Sequence, residues 1–454
     1  MSDPVSFFRD VAARHRRCFW LDGGGAREWS GRRSIIGWLD DDDVSLSWSA
    51  ARREVREHRA SSSTVVGDDV FAVLEERMRP GEQWFGYLGY ASRPDLPAEP
   101  DPSLPDAMWM RPRAVRIFEH EPPEPLRESV PASSDPASPA SDPASPAPSP
   151  ASPVPPHMRG NPNFQGLARP QMFATRSRGP RPATPPRSYA DAFAAVQEQL
   201  HAGNSYEVNL THRLTRDADL DPVAAYLRLR ELNPAPYSGF LQHDVAGARA
   251  WLLSSSPERY ALVTPDRHLE TKPIKGTTPR GATPEEDAAE RERLAGDPKM
   301  RAENLMIVDL LRNDLSLVCD VGTVEVPALM QVETYASVHQ LVSTVRGHLR
   351  DDVTTVGALR ALFPAGSMTG APKLRTMQII EEVESSPRGV YAGAFGWISG
   401  DGPADLGVVI RSLMTDGGGT WTLGTGGGIT VKSDVADEWA ESEWKAERLL
   451  RVFE

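Results

Sequence analysis

The sequence predicts an α+β fold, in which many short strands are combined with a few helices. Three observations lead to this prediction. Short segments of alternating apolar and polar residues occur towards both ends of the chain, and apolar residues spaced three and four apart mark a smaller number of helices. A long proline-rich segment separates two groups of such elements. Many strands with a few interspersed helices are typical of the α+β class.

Residues 1–120 contain the first group of predicted strands. Residues 34–38 and 44–48 alternate around an acidic turn, and residues 84–90 carry the aromatic residues and glycines of a buried strand with close backbone approaches. Residues 114–118 are a further predicted strand. This part of the chain is predicted to form an N-terminal α/β half.

Residues 121–187 are rich in proline, alanine and serine, which accounts for much of the chain's total of 41 prolines. The segment repeats Ala-Ser-Pro and has few aliphatic residues, so it cannot bury enough apolar surface to offset the entropy lost on ordering. We predict a disordered linker here, between the N-terminal half at 1–120 and a C-terminal domain at 188–454.

Deleting residues 133–155 from this linker is expected to leave folding and activity nearly unchanged, because the length of a flexible connection changes its closure entropy only slightly. Thermal unfolding and turnover of the deletion variant, compared with those of the intact chain, measure the effect. A large fall in melting temperature would show that the segment is packed.

The C-terminal domain carries the clearest helix and strand patterns. Ser188 is predicted to cap a helix that ends at Gly203, and Thr369 is predicted to cap a helix with Pro372 in its first turn. Further helices are predicted at 222–232, 303–314 and 434–452, and strands at 206–214, 238–241, 250–253, 390–399, 406–414 and 421–424.

Composition and charge exclude several classes of protein. The 50 basic and 63 acidic residues give a net charge of −13, which is unsuited to binding nucleic acid phosphates. No apolar run approaches the roughly 18 residues of a membrane-spanning helix. The N-terminal residues lack the pattern of a secretion signal, and Cys18 and Cys319 lie in unrelated contexts. We therefore expect a soluble cytoplasmic enzyme that binds neither nucleic acid nor membranes.

Four short motifs occur in the order 273–277, 303–314, 366–373 and 426–429. Their sequences are PIKGT, ENLMIVDLLRND, GSMTGAPK and GGGI. Together they resemble the chorismate-binding enzymes, a family that includes anthranilate synthase component I, aminodeoxychorismate synthase component I, and the isochorismate and salicylate synthases. The resemblance covers residues 188–454 and is weaker in the N-terminal half. It implies the fold of anthranilate synthase component I, with large antiparallel β-sheets flanked by helices and the proline-rich segment as an insertion.

Acidic residues in two predicted helices are candidates for binding a metal ion. Glu438, Glu441 and Lys445 share one helix face, a spacing that by itself is typical of a solvated face with an ion pair. Glu303 begins an apolar helix, where a carboxylate is favoured by the helix dipole. The resemblance implies that Glu303 and Glu441 bind Mg²⁺, and that Glu438 lies behind these ligands or contacts the ion through water. Family members often carry a further carboxylate at the position of Met300.

The substrate that the resemblance implies, chorismate, carries two carboxylates. Gly426, Gly427 and Gly428 would let backbone N–H groups approach a carboxylate, although such a run is equally typical of a turn between a strand and a loop. Arg411 is suited to a bidentate carboxylate contact, and Lys445 adds a positive charge. The further substrate-binding residues implied by the resemblance are Gly276, Thr277, His339, Thr369 and Tyr391.

Lys275 and Glu258 indicate the branch of the family. The resemblance implies that Glu258 protonates a departing hydroxyl. It also implies that Lys275 is a nucleophile, as in aminodeoxychorismate synthases, since anthranilate and isochorismate synthases normally have alanine there. The lysine would attack ring carbon 2, the 4-hydroxyl would leave, and ammonia would enter at carbon 4 as the lysine departs. Isochorismate synthases carry a water-activating lysine at the position of Glu207, so that reaction is disfavoured.

Ammonia is expected to come from a separate glutamine amidotransferase subunit. Cys18 and Cys319 lack the flanking glycines of a nucleophilic cysteine on a tight turn, and no lyase domain is recognised after the motifs. The expected activity is the Mg²⁺-dependent conversion of chorismate and ammonia into 4-amino-4-deoxychorismate, for 4-aminobenzoate and folate synthesis or for an aminated secondary metabolite. The alternatives are an anthranilate synthase component I and a catalytically silent partner of an amidotransferase.

Overall fold

A computed structural model describes residues 3–25, 32–59, 62–120, 184–335 and 338–454. Residues 121–183 of the predicted linker at 121–187 lie outside the described residues. The described residues combine helices with antiparallel sheets, which confirms the predicted α+β class.

Most helices begin after an aspartate or threonine whose side chain accepts hydrogen bonds from N–H groups of the first turn. The helices are α1 (Pro4–Arg14), α2 (Val70–Arg77), α3 (Arg187–His201), α4 (Pro222–Leu232), α5 (Pro284–Gly296), α6 (Pro298–Ser316), α7 (Thr355–Leu362), α8 (Lys373–Val383) and α9 (Val435–Leu450). Within the described ranges, no helix is long and apolar enough to cross a membrane.

The strands are short and lie on both sides of the predicted linker. Before it are β1 (Arg17–Asp22), β2 (Arg33–Leu39), β3 (Val44–Ser49), β4 (Glu54–Arg59), β5 (Ser62–Gly67), β6 (Gln83–Leu88), β7 (Ala107–Arg111) and β8 (Val115–Glu119). After it are β9 (Glu207–Asp217), β10 (Tyr237–His243), β11 (Ala250–Ser256), β12 (Arg259–Val263), β13 (His268–Lys272), β14 (Ile274–Pro279), β15 (Glu325–Thr334), β16 (Val338–His348), β17 (Gly370–Ala371), β18 (Ala394–Ser399), β19 (Ala404–Val408), β20 (Ser412–Thr415) and β21 (Thr420–Ile429).

Strands from both sides of the predicted linker share each of two sheets. The first sheet has the order β17-β9-β21-β20-β11-β10-β1-β2-β8. The second has the order β14-β16-β13-β12-β19-β18-β6-β7-β3-β4-β5, with β15 also paired to β16. Neighbouring strands are antiparallel in both sheets. The N-terminal strands and the C-terminal segment therefore form one compact unit.

The central strands of the first sheet, β1, β10 and β11, are buried on both faces. Side chains alternate along β1, so Phe19 faces the second sheet, where its ring stacks on Phe85 with the ring centroids 4.2 Å apart. Cys18 and Trp20 face the opposite way, into a separate core with apolar side chains of α1 and α4. The two sheets are thus packed face to face through the first core, and helices cover the outer face of the first sheet.

A third, smaller core fixes the strand that carries the candidate site. Val208 and Leu210 of β9 pack there among apolar side chains of α3, α8 and α9. Because side chains alternate along a strand, Glu207 and Asn209 point to the opposite face. The apolar pattern of β9 therefore determines the direction of Glu207.

Two predicted helix caps are wrong. Ser188 is the second residue of α3, which begins after a proline without a side-chain cap. Thr369 precedes the short strand β17 instead of a helix, and α8 begins only after this strand. The reason at Thr369 is tertiary, since the backbone of β17 pairs with β9 in an extended conformation.

Candidate active site

Lys275 of β14 forms a short, buried ion pair with Glu207 of β9, so the pair joins the two sheets. The lysine Nζ donates a hydrogen bond to Glu207 Oε1 over 2.5 Å. The lysine side chain is 10% exposed and that of the glutamate 0%. Burial by itself lowers the pKa of Lys275, but the hydrogen bond and charge of Glu207 together with the charges of Glu303 and Glu258 raise this pKa above its ordinary value. The lysine is therefore charged in this arrangement, and acting as a nucleophile requires that it lose a proton.

The glycine run at 426–428 makes room for this pair. These glycines lie inside β21 and pair with β9, so they form a strand and not a turn. A Cβ on Gly428 would come within 2.2 Å of Glu207 Oε1 and 3.1 Å of Lys275 Nζ. The missing side chain thus lets the ion pair lie directly against the strand.

Glu258, the predicted acid, lies between β11 and β12 and is buried beside Ser367. The Ser367 hydroxyl donates a hydrogen bond to Glu258 Oε1 over 2.6 Å. Burial raises the pKa of Glu258 to about 7, although the bond from Ser367 and the charge of Lys275 favour the anion. A carboxyl group with this pKa keeps its proton in a large share of molecules at neutral pH, as a general acid requires.

Glu303 of α6 and Glu438 of α9, two predicted metal residues, come together around Lys299. The Lys299 Nζ lies 2.9 Å from Glu438 Oε1 and 3.9 Å from Glu303 Oε1. Glu303 Oε1 is buried and accepts no hydrogen bond from the part of the chain that the structure describes. Burial raises the pKa of Glu303 to about 7, although the charge of Lys275 favours its anion. The two helices therefore direct two carboxylates towards one position that attracts cations.

Glu441, the remaining predicted metal residue, forms an ion pair with Lys445. Their charged atoms lie 2.8 Å apart, and the lysine lowers the pKa of Glu441. Within the described ranges, no group of three or more His, Cys, Asp and Glu side chains is arranged to hold a metal ion. Mg²⁺ takes few protein carboxylates and keeps several waters, so Glu303, whose Oε1 accepts no hydrogen bond from the described residues, and Glu438 still fit this ion.

Positively charged side chains line a pocket beside α9. The Lys445 ammonium donates to the carbonyl of Gly426 over 2.8 Å. The pocket is lined by Lys445, Arg411, Arg448 and Trp444, among others. Three cationic side chains in one pocket suit a carboxylate ligand, and the contacts of Arg411 and Lys445 with substrate stay predictions.

His339 of β16 is buried with a protein partner at each ring nitrogen. Its Nε2 lies 2.9 Å from Asp287 Oδ1, and its Nδ1 lies 2.9 Å from Thr334 Oγ1. A substrate contact by this ring would require one of these hydrogen bonds to break. The predicted contact of His339 with substrate stays a prediction.

The other predicted substrate residues lie on strands of the two sheets or next to them. Gly276 and Thr277 follow the nucleophile candidate on β14, and Gly276 has a φ of 88°, which favours glycine. Thr369 is fully buried immediately before β17. Tyr391 lies against β21, where a Cβ on Gly424 would come within 2.3 Å of its ring. Their contacts with substrate stay predictions.

Lys299 and Ser367 were not among the predicted site residues, although both have a local signal in the sequence. Lys299 lies four residues before Glu303, which is the spacing of a helical ion pair. Ser367 lies inside one of the four motifs. Their partners Glu438 and Glu258 come from segments more than a hundred residues away, so only the folded structure brings them together.

The chain is similar to curated proteins named aminodeoxychorismate synthase. It is 52% identical to one from Streptomyces griseus over 268 residues, which are 59% of this chain and 36% of that protein. It is 42% identical to aminodeoxychorismate synthase component 1 of Escherichia coli K12 over 266 residues, 59% of this chain and 57% of that protein. An anthranilate synthase component 1 of Haloarcula marismortui is 39% identical over 275 residues, 60% of this chain and 50% of that protein. The matched segment thus spans less than two thirds of each relative.

Solved structures share the fold over nearly the whole chain. Anthranilate synthase component I from Streptococcus pneumoniae has a TM-score of 0.67 at 23% identity and covers 93% of both chains. The menaquinone-specific isochorismate synthase from Escherichia coli has a TM-score of 0.64 at 17% identity, covering 100% of this chain and 92% of that one. At these identities the likeness shows the fold alone, and it confirms the predicted fold of anthranilate synthase component I.

A family model described as chorismate binding enzyme matches residues 16–451. The match begins before the first strand of the N-terminal half and ends within the last turn of the chain, so it includes all four motifs. It also includes every residue of the site described above. Because this match extends over nearly all of the sequence, the chain belongs to the family of chorismate binding enzymes.

Proposed function

We propose that the chain is the chorismate-aminating component of an aminodeoxychorismate synthase, which forms 4-amino-4-deoxychorismate from chorismate and ammonia. The observation that carries this proposal is the position of Lys275, a buried lysine held by Glu207 where the two sheets meet. The relatives named aminodeoxychorismate synthase, at 52% and 42% identity, support the same reaction.

In the proposed reaction, Lys275 attacks ring carbon 2 while Glu258 protonates the departing 4-hydroxyl, which leaves as water. Ammonia then adds at carbon 4, the ring double bonds shift back, and the bond between carbon 2 and the lysine nitrogen breaks. Arg411 and Lys445 hold the substrate carboxylates from their shared pocket. The pKa of about 7 supports the role of Glu258, because the group keeps a proton to donate at neutral pH.

Mg²⁺ is the proposed metal ion, with Glu303 and Glu441 as carboxylates that would hold it and Glu438 beside them, either as a ligand or in contact through water. Bound there, the ion would anchor the ring carboxylate and stabilise negative charge that develops in the transition state. The buried Oε1 of Glu303 accepts no hydrogen bond from the described residues, which supports this assignment, since burying a carboxylate oxygen without a hydrogen bond is costly.

Glu303→Gln and Glu441→Gln are each expected to raise the Mg²⁺ concentration for half-maximal activity by about tenfold or more, because each removes a negative charge from the metal site. Titration of Mg²⁺ against rate measures the shift, and thermal unfolding checks that the fold is kept. Glu447→Gln is the matched control on α9, since Glu447 pairs with Arg451 at 2.7 Å, and it should change nothing. Normal activity of both variants at low Mg²⁺ would rule out the metal assignment.

Activity is expected to fall as the pH rises above about 7, because Glu258 acts in its protonated form and its pKa is about 7. The pH profile of kcat/KM for chorismate, with free ammonia held constant, measures this decrease. Glu258→Gln should lose most of the activity, and its remaining activity should not fall above pH 7. A wild-type profile that stays flat through this range would contradict the role of Glu258.

Ammonia is proposed to come from a separate glutamine amidotransferase. The Escherichia coli relative is named component 1, a name that implies a second component of that protein. Cys18 and Cys319 of this chain are both unpaired and buried, and burial raises the pKa of each thiol. Neither therefore has the exposed, easily ionised thiol that glutamine hydrolysis requires.

Incubating the chain with chorismate, Mg²⁺ and ammonium, and separating the products by chromatography, tests the proposed function. We expect 4-amino-4-deoxychorismate. Anthranilate would identify the alternative reaction, which the Haloarcula relative supports. Absence of turnover would contradict the proposal and leave a silent partner of an amidotransferase. Glutamine in place of ammonium should yield product only when an amidotransferase is added.

A further inference from the structure

Glu207 is the side chain that contacts the predicted nucleophile, and the reaction described above gives it no role. Its Oε1 accepts the hydrogen bond from Lys275 Nζ at 2.5 Å. In the sequence, this position is notable only because isochorismate synthases carry a water-activating lysine there. The structure instead places an acceptor of protons at the nitrogen that must lose one.

The carboxylate of Glu207 is held in place from three sides. Its strand β9 pairs with β17 on one side and with β21 on the other. The neighbouring Val208 is buried in the small core, which sets the direction of Glu207. Gly428 leaves room for the carboxylate, since a Cβ there would overlap Oε1 at 2.2 Å. The strand pairing, the small core and Gly428 therefore fix the position of Glu207 beside Lys275.

The carboxylate of Glu207 has a single hydrogen-bond donor, Lys275, among the residues that the structure describes. Glu207 Oε1 accepts from Lys275, whereas Oε2 is buried and has no hydrogen-bond partner among the residues that the structure describes. One oxygen thus touches the lysine proton, and no other donor competes for the negative charge.

We propose that Glu207 is the base that takes a proton from Lys275 to create the nucleophilic amine, and that it returns this proton when the lysine is released. The inference rests on the proposed function. It divides the acid–base work between two buried carboxylates, with Glu207 acting on the lysine nitrogen and Glu258 on the substrate hydroxyl.

Protons and electrons balance over the whole reaction cycle. The ammonium of Lys275 first gives one proton to the Glu207 carboxylate, which leaves a neutral amine and a neutral acid. The amine lone pair then forms the bond to carbon 2, the double bonds shift, and the bond between carbon 4 and oxygen breaks as Glu258 supplies a proton to form water. The lysine nitrogen now carries the positive charge.

Ammonia completes the cycle from the opposite end of the double-bond system. Its lone pair bonds to carbon 4, the double bonds shift back, and the electron pair of the bond to carbon 2 returns to Lys275, which leaves as a neutral amine. The new ammonium at carbon 4 gives a proton to Glu258, which restores its acid form. Glu207 returns its proton to Lys275, and the net change is chorismate plus ammonia to 4-amino-4-deoxychorismate plus water.

Glu207→Gln tests this role, because the amide keeps the size of the side chain and its acceptor oxygen but cannot take the proton. With Glu207 as the base, transfer of the proton within the pair makes formation of the neutral amine independent of the proton concentration in solvent. In Glu207→Gln the lysine must lose its proton to solvent, so the fraction of neutral amine grows about tenfold per pH unit below the lysine pKa.

The measurement is the ratio of kcat/KM for Glu207→Gln to that of the wild type between about pH 6 and pH 8, with free ammonia held constant. Effects of Glu258 are common to both proteins and cancel in this ratio. We expect the ratio to be small near pH 6 and to rise by about 100-fold by pH 8. A constant ratio, whatever its size, would overturn the role of Glu207, since a purely structural defect has no reason to follow pH.

Two further variants separate loss of the base from loss of structure. Glu207→Asp keeps a proton acceptor, so its activity should be reduced by a factor that does not change with pH. Glu333→Gln removes the partner of Lys272, which lies 2.7 Å away in the same segment, and its ratio should also stay constant. A rising ratio in either control would contradict the inference.

An activity-independent measurement gives the state of the lysine itself. The rates at which acetic anhydride acetylates Lys275 and Lys272 are compared by peptide mass spectrometry, with Lys272 as the internal standard. In Glu207→Gln the acetylation rate of Lys275 should rise about tenfold per pH unit between about pH 6 and pH 8, whereas in the wild type it should change little, because Glu207 takes the proton directly. The same pH dependence in both proteins would overturn the inference. Failure of the wild type to form 4-amino-4-deoxychorismate would instead refute the proposed function, so the two failures are distinguishable.

Discussion

Replacing Lys275 with alanine is expected to lower formation of 4-amino-4-deoxychorismate by about 10³-fold or more, while chorismate still binds. Amination at carbon 4 needs a nucleophile at carbon 2 in the proposed reaction, and Lys275 is that group. The neighbouring Lys272 is not expected to replace it, because alternation along an extended segment directs this side chain, three residues earlier, to the opposite face, where its Nζ lies 2.7 Å from Glu333. Arg411 and Lys445, the candidate carboxylate contacts, are unchanged in this variant. Product chromatography measures amination, and calorimetry measures binding of chorismate.

Two matched variants sharpen this result. Lys272→Ala, in the same segment, should keep the product and most of the rate. Lys275→Arg keeps the positive charge beside Glu207 but has no nucleophilic amine, so it should be as inactive as the alanine variant. Intact-mass analysis of the wild type quenched during turnover should show a lysine adduct that both Lys275 variants lack. Unchanged product formation by Lys275→Ala would remove Lys275 as the nucleophile.

Gly428→Ala is expected to lower activity by about 100-fold with little change in the fold. The new Cβ would lie 2.2 Å from Glu207 Oε1, so the carboxylate must move away and its hydrogen bond to Lys275 is lost. Misplacement of a reacting group by about 1 Å is enough for a loss of this size. Steady-state kinetics measures the loss, and thermal unfolding measures the stability.

Gly296→Ala is the control for this substitution. Gly296 ends α5 and has no heavy atom within 4 Å of an added Cβ, so activity should be unaffected. Full activity of Gly428→Ala would show that the close fit of Glu207 against β21 is not needed. A large fall in its melting temperature would show that the glycine serves packing more than catalysis.

Elements with strong local signals were predictable from the sequence. The helix expected at 222–232 is α4, and the helix expected at 434–452 is α9 with a short extension. In both cases an aspartate, Asp221 or Asp434, caps the first turn, and apolar residues recur with helical spacing. Neither signal depends on any other part of the chain.

Elements that depend on distant partners were not predictable. Thr369 looks like a helix cap, but its neighbours pair with β9 as a strand. The glycines at 426–428 have a low intrinsic preference for strands, yet ten consecutive residues of β21 pair with β9. Here tertiary pairing outweighs local propensity, and the partner strand lies about 200 residues away in the sequence.

The same limit applies to the site. The sequence identified Lys275, Glu258 and Glu303 one at a time through motifs, without showing what each of them contacts. Glu207 stood out only because it occupies the position of a lysine in relatives with another reaction. Its partner comes from the other sheet, at a separation that no spacing rule covers. Individual residues could be named from motifs, whereas their pairing required the fold.

The interleaving of the two sheets has a consequence for how the protein is made. Strand β6 finds one neighbour, β7, soon after synthesis, but its other neighbour, β18, lies roughly 300 residues later. At ordinary elongation rates the ribosome needs tens of seconds to reach it. During that time the nascent chain carries an open, apolar strand edge that can pair with other molecules. Production of this protein in cells should therefore depend on chaperones that bind the nascent N-terminal half until the C-terminal strands emerge.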